Sequence, residues 1–334
     1  MKKQFFYFAL CASMLTACTS EEVVNFSEQS NAIGFDNVVM KQTRADAQVG
    51  DLNNENLDKF MVYGFYTKDE QSANPIQVFG GVSVTKQNGV WTYSDARFWV
   101  PDATYSFFAY SCADIALDNK FGTAGLDLNA TGADRQLIIT NYICDDSHNH
   151  DLIYAQNKEI KALAMTEDNP APNSNVSFKF SHVLTKIDAM FTSEFSSDYD
   201  VVIKHVRIVN FRNKGTFAQT KGWGSTPERT ETGLELPLKF TDNDGIGVAN
   251  ASQTASQKPR TEYKYVLPYK YQYTDVQLNF TIEVYKGSEH TPANLVLSRN
   301  MEGHWAPNWE QGFYYTYNIT LTGSVANLQP IVFE

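Results

Sequence analysis

Between Val276 and Tyr285 the chain alternates apolar and polar residues without a break. Val276, Leu278, Phe280, Ile282 and Val284 fall on one side, and Gln277, Asn279, Thr281 and Glu283 on the other. Successive side chains of an extended backbone point to opposite faces, so this run predicts a half-buried antiparallel strand. Related runs, rich in Val, Ile, Thr, Phe and Tyr, stand at Phe60–Tyr66, Ile76–Thr85, Val90–Tyr93, Thr104–Tyr110, Gln136–Ile143, Val176–Phe180, Val201–Phe211, Leu234–Phe240, Tyr263–Leu267, Leu295–Ser298 and Phe313–Leu321. Gly, Asn, Asp and Pro separate them. Strands at this spacing predict an all-β chain with two antiparallel β-sandwiches in series. The 201–211 run is less clean, because apolar residues occur on both of its faces. Helical character is confined to 162–166 and 182–191, and Thr185, Ile187 and Phe191 suit a strand equally. The stretch from Thr166 to Asn175 holds two prolines among polar residues and cannot extend a sheet, so it is the expected boundary between domains. A second polar stretch, 241–259, is expected to be an exposed loop.

The first residues have a different character. Lys2 and Lys3 precede an apolar run from Phe5 to Leu15, which is too short for a stable membrane span. This is the architecture of a secretory signal, residues 1–17. Its ending, Leu15-Thr16-Ala17-Cys18, resembles the lipobox of bacterial lipoproteins. In that family the cysteine carries acyl chains such as palmitate and becomes the new N-terminus. Several chains on Cys18 anchor stably where one would be marginal. The Thr-Ser-Glu-Glu that follows is similar to acidic export tags on surface lipoproteins, and acidic residues there also serve simply as a solvated tether.

Composition excludes several functions. The net charge of the 334 residues is −11, and losing Lys2 and Lys3 with the signal makes it more negative still. With no basic run anywhere, nucleic acid is not an expected partner. Removal of Cys11 and lipidation of Cys18 leave Cys112 and Cys144. These either pair as a disulfide in an oxidising compartment or stay as two inert buried thiols, and two cysteines alone leave both open. Asp145-Asp-Ser-His-Asn-His-Asp151 is the best cluster for a divalent metal, but a short cluster without spaced partner ligands reads more simply as a polar turn. The run from Asp242 to Gly245 departs from the calcium-loop pattern in the position of its glycine and is expected to be a turn. Trp91, Trp99, Trp223, Trp305 and Trp309 offer a sugar-stacking platform or, more commonly in sandwiches, core packing. His182 is expected to be a packed core histidine. No nucleophile elbow, zinc-protease helix or phosphate loop appears. The chain is therefore not expected to be an enzyme, and no cofactor or metal is expected.

Several segments occur in an order that carries a resemblance. They are Tyr63-Gly-Phe-Tyr66, Arg97-Phe-Trp-Val-Pro101, Tyr105-Ser-Phe-Phe-Ala-Tyr110, Asp151-Leu-Ile-Tyr-Ala155, Phe178 to Ile187 and Trp309 to Leu321. As a set they resemble the fimbrillin family, the type V pilins of Bacteroides-type bacteria, over nearly the whole chain. The resemblance implies a fimbrial (pilus) subunit serving adhesion, built of two transthyretin-like sandwiches, here 45–172 and 173–334. It implies export as an outer-membrane lipoprotein and removal of segment 18–44 by an arginine-specific protease. Loss of that segment takes away a first strand and opens a groove, which the C-terminal strand of another subunit fills.

Carried onto this sequence, the first strand is 32–39, with Ile33, Phe35 and Val39 on one face. The maturation site is Arg44-Ala45, Arg44 being the only arginine before Arg97. The donor strand is 325–334, with Val325, Leu328, Ile331, Val332 and Phe333 as its apolar residues. Pro330 removes one ladder donor there. Implied partners are other fimbrial subunits, the outer membrane through lipid, and surface receptors or glycans. The alternative is a membrane-retained glycan-binding lipoprotein or a pilus anchor subunit.

Overall fold

The structure, a computed structural model, describes residues 31–40, 52–68, 74–113, 117, 120–130, 135–224, 227–241, 245–270, 274–324 and 327–328. Within these the chain is all-β. The N-terminal half contributes β1 (Phe35–Met40), β2 (Lys59–Thr67), β3 (Ile76–Gln87), β4 (Val90–Thr92), β5 (Thr104–Ser111), β6 (Thr123–Leu126), β7 (Leu137–Ile143), β8 (Ile153–Lys161) and β9 (Val176–His182). There follow β10 (Thr185–Ser193), β11 (Tyr199–Val209), β12 (Lys214–Ala218), β13 (Gly222–Trp223), β14 (Glu235–Pro237), β15 (Gly247–Ala249), β16 (Lys264–Val266) and β17 (Tyr269–Lys270). The last are β18 (Val276–Lys286), β19 (Leu295–Trp305), β20 (Asn308–Trp309), β21 (Tyr314–Leu321), β22 (Gly323–Ser324) and β23 (Asn327–Leu328).

In the C-terminal half two sheets face each other. One has the order β16-β10-β21, the other β14-β11-β18-β19 with β15 also on β11. Ile187, Ala189, Phe191 and Ile319 of the first sheet meet Ile203, Ile208, Phe280 and Ile282 of the second in one buried cluster. The alternation of 276–285 is used as the sequence predicts: Val276, Leu278, Phe280, Ile282 and Val284 are all buried. The equivocal 182–191 stretch is extended. Its core, β10, alternates Ile187, Ala189 and Phe191 inward, and it lies antiparallel to β16 and parallel to β21.

The N-terminal half departs from a simple sandwich. Seven strands form one sheet in the order β1-β9-β8-β5-β2-β3-β4. Its two ends come together where Ala32, just before β1, bridges Phe98, just after β4. The sheet thus rolls almost into a barrel around Phe60, Phe79, Phe107, Phe178 and Phe180. Closure of this kind removes exposed strand edges.

A four-stranded sheet, β13-β12-β7-β6, takes strands from both halves. Beneath it Phe108, Tyr110, Leu137 and Tyr142 pack with Val183, Phe217, Tyr265 and Leu267. The 166–175 stretch is a loop, turned by reciprocal backbone bonds between Thr166 and Asn169 and clamped by Asn173 to Leu163. After it, β9 rejoins the N-terminal sheet by pairing with β8 and β1. The 241–259 stretch carries more order than the sequence suggests, since β15 within it pairs with β11.

Candidate strand-exchange site

β1 occupies one edge of the seven-stranded sheet and runs parallel to β9, pairing Phe35 with Val176, Asp36 with Ser177, Val39 with Lys179 and Met40 with Phe180. On its other side the preceding residues meet the segment after β4. The Ile33 N–H donates to the Arg97 carbonyl at 2.7 Å, and the Trp99 N–H to the Asn31 carbonyl at 3.1 Å. The Tyr93 hydroxyl donates to the Ile33 carbonyl at 2.6 Å. Burial pushes the Tyr93 phenol up to about 12, which keeps that donor protonated. The strand's far end is held by Asn54, whose Oδ1 accepts from the Met40 N–H at 2.7 Å.

The side chains of 33 and 35 fill the interior. Ile33 is 0 % exposed and Phe35 4 %. Phe35 stacks on Phe178, ring centroids 5.8 Å apart, and meets Phe60, Phe79, Tyr93 and Phe107 edge-on. Gly34 between them lies against the Asn175 side chain, whose amide oxygen would be 2.3 Å from an added Cβ and would have to move aside.

Val39 does not share that face. It is 42 % exposed, while Val38 and Met40 pack against the core. The cause is a bulge: between the pairs Asp36–Ser177 and Val39–Lys179, two residues of β1 stand opposite one of β9. One extra residue reverses the in–out parity of everything after it. Sequence reasoning therefore missed Val38 and Met40, although their spacing from Phe35 carries the signal. It also missed the backbone clamp at 97–99, which only the closure of the sheet reveals.

Cys18, Arg44, Ala45, Val325, Ile331, Val332 and Phe333 lie outside the described residues. Leu328 is placed by its backbone, in a short antiparallel pair of β22 with β23 that sets Gly323 opposite Leu328.

Other candidate residues resolve into packing. Asp145 Oδ1 accepts from the backbone N–H groups of Ser147 and His148, a tight polar turn. His148 is fully buried, stacked on Phe121 with centroids 4.3 Å apart. His182 is mostly buried, and its Nδ1 lies 2.7 Å from Asp151 Oδ2. Among the described residues no group of three His, Cys, Asp or Glu side chains could hold a metal ion. Trp91, Trp99 and Trp309 are core residues, so they cannot form the sugar platform. Trp223 donates its indole N–H to the Val183 carbonyl at 2.5 Å. No helix among the described residues is long and apolar enough to cross a membrane.

Cys112 and Cys144 are both free and buried. Burial pushes the Cys112 thiol up to about 12 and Cys144 well above its ordinary value. A thiol-specific reagent at pH 8 is expected to leave both untouched in the folded chain and to modify both in denaturant. Rapid modification of either in the native state would contradict the burial. The sign of the linkage follows: the neutral thiols favour folding below about pH 9, and this contribution is lost as pH rises towards 12.

The sequence pattern of one protein family, described as fimbrillin-like, matches residues 43–332. No curated protein matches significantly. Among solved structures the chain is similar to a protein of Bacteroides uniformis described provisionally as a cell adhesion protein, at 16 % identity and TM-score 0.46, over 91 % of this chain and 98 % of that one. A protein of Bacteroides ovatus with the same provisional description has 16 % identity and TM-score 0.45, over 91 % and 95 %. The fimbrial anchor protein Mfa2 of Porphyromonas gingivalis has 8 % identity and TM-score 0.33, over 87 % and 90 %. The assignment rests on the family pattern, which spans most of the sequence: the chain belongs to the fimbrillin-like family.

Proposed function

We propose that this protein is a structural subunit of a surface fimbria, exported as a lipoprotein through Cys18 and assembled by strand exchange at the β1 site. The observation that carries this reading is β1 itself. It is a short edge strand that, with the residues just before it, inserts Ile33 and Phe35 into an aromatic core, and it ends four residues ahead of Arg44. Hydrolysis of the Arg44–Ala45 bond would disconnect the strand from the rest of the fold. Its loss would expose the β9 edge, the 97–99 backbone and an apolar groove, an arrangement that seeks a replacement strand. The 325–334 tail of another subunit is the proposed donor. Receptors or glycans would be met at the cell surface or along the fibre.

The strand pairings support a modular reading in which two variants of one transthyretin-like unit follow each other, the first running from β1 through β9 and the second starting at β10, so that their junction lies just after the 166–175 stretch and β9 rather than within that stretch. In the N-terminal half the first strand, β1, runs parallel to the last, β9. In the C-terminal half the first strand, β10, runs parallel to the last, β21. The two closures differ in strength. The β10–β21 register is unbroken from Lys186–Tyr314 to Ser193–Leu321, and β16 covers the other side of β10. The β1 ladder is shorter and interrupted by its bulge. Only the N-terminal closure is therefore suited to exchange.

The test is the N-terminus and mass of protein recovered from the producing cell. A chain starting at Ala45 that runs as a heat-resistant ladder is expected, and Arg44→Ala should abolish the ladder. A chain still beginning at acylated Cys18, without a ladder, would overturn exchange for this subunit and favour an anchor or a membrane-retained binding protein.

A further inference from the structure

The proposed donor tail repeats the sequence of the strand it would replace. Residues 32–36 read Ala-Ile-Gly-Phe-Asp, and residues 330–334 read Pro-Ile-Val-Phe-Glu. Identity falls on the two positions that fill the groove. Ile33 and Phe35 are buried there. Ile331 and Phe333 offer the same side chains two residues apart, hence on one face of an extended strand. The site of Phe35 is shaped for a ring, with Phe178 stacked on it and Phe60, Phe79, Tyr93 and Phe107 meeting it edge-on.

The three positions that differ are each compatible with the groove. Pro330 takes the place of Ala32. The backbone bonds to the 97–99 segment use the Ile33 N–H and the Asn31 carbonyl and leave the Ala32 N–H out. A proline, which generally weakens a strand by its missing donor, therefore removes neither of those bonds. It also biases the preceding Gln329 towards extended backbone. Val332 takes the place of Gly34. A Cβ there meets the Asn175 amide oxygen, the far end of a short side chain on an exposed residue that can swing aside. The strand gains in return a β-branched residue suited to extended backbone, where β1 has a glycine. Glu334 takes the place of Asp36 and keeps an acid opposite Ser177. The reverse direction fits less well. It would put Phe333 in the place of Ile33 and Pro330 opposite Ser177 within the β9 ladder, where a proline is disfavoured.

We propose that the tail of a second copy enters in the direction and register of β1, with Ile331 and Phe333 in the sites of Ile33 and Phe35 and Val332 against the Asn175 side chain. This inference rests on the strand-exchange reading and adds to it the register. Val325 and Leu328 then lie outside the two central sites.

The test is made on protein recovered from the producing cell. Asn175→Cys combined with Val332→Cys should yield multimers that survive complete denaturation and collapse to the monomer on reduction. Asn175→Cys combined with Glu334→Cys, two residues out of register, should yield monomers. Cys112 and Cys144 are buried and do not compete. Phe333→Ala should abolish the heat-resistant ladder and Val332→Ala should preserve it. A wild-type ladder without disulfide-linked multimers from the 175/332 pair would overturn the register alone. Multimers from the 175/334 pair, or loss of the ladder with Val332→Ala but not with Phe333→Ala, would do the same. Absence of a ladder from the wild-type chain would overturn strand exchange itself, and the register with it.

Discussion

Phe35→Ala is expected to destabilise the chain by about 3–5 kcal/mol, read as a lower urea midpoint. The magnitude follows from the surroundings. The ring is 4 % exposed and lies among Phe60, Phe79, Tyr93, Phe107 and Phe178, each of them buried as well. Truncation therefore removes transfer energy and leaves a cavity that close-packed surroundings fill only in part. Val39→Ala, on the same strand, is expected to change stability by no more than about 0.5 kcal/mol, because the valine faces solvent. Equal effects of the two changes would mean that the bulge between Asp36 and Val39 is absent in solution. The apolar face would then continue past it.

Removing the whole strand should have the second large effect, and a reversible one. Ile33 and Phe35 are buried by folding, and at ~1.5–3 kcal/mol per buried side chain they contribute about 3–6 kcal/mol gross. The backbone bonds to Arg97, Trp99 and Val176 add about 0.5–1.5 kcal/mol each. A chain beginning at Ala45 is therefore expected to lose cooperative unfolding of its N-terminal half while the C-terminal half, closed by β10 and β21, keeps its own core. A synthetic peptide of residues 31–40 (NAIGFDNVVM) should bind that chain and restore the lost transition. The same peptide carrying Phe35→Ala should bind more than about a hundredfold more weakly, since 1.4 kcal/mol corresponds to a tenfold change. Fluorescence anisotropy of the labelled peptides decides the matter. If both peptides bind alike, or neither binds, the groove does not recognise an inserted strand.

Two strands show how tertiary pairing modifies a pattern that the sequence carries. In β1 and the residues leading into it the core-facing residues are Ile33, Phe35, Val38 and Met40, and in β11 they are Val201, Ile203, Val206 and Ile208. Both follow a spacing of two, three and two. In each, one extra residue is inserted against the partner strand, between Asp36 and Val39 and between Lys204 and Arg207. At the second bulge His205 adopts a positive φ of 54°. Strict alternation therefore misassigns Val39 and makes 201–211 look two-faced. The broken spacing is legible in hindsight, but a bulge is chosen by the partner strand as much as by its own residues.

The sequence by itself determined the all-β class, the positions of most strands and the face that β18 buries, because in–out alternation is a local property of an extended backbone. It also carried the family, through short segments held in order over most of the chain. The tertiary structure decided what local pattern cannot encode. It rolled seven strands almost into a barrel, paired β7 with β12 from the other half, and buried Trp91, Trp99 and Trp309, for which the sequence had favoured core packing without deciding it. It set the Asn175 side chain against Gly34, far from it in sequence. Such placements follow from which edges meet when the sheets close, and that is settled by the competition among many distant pairings.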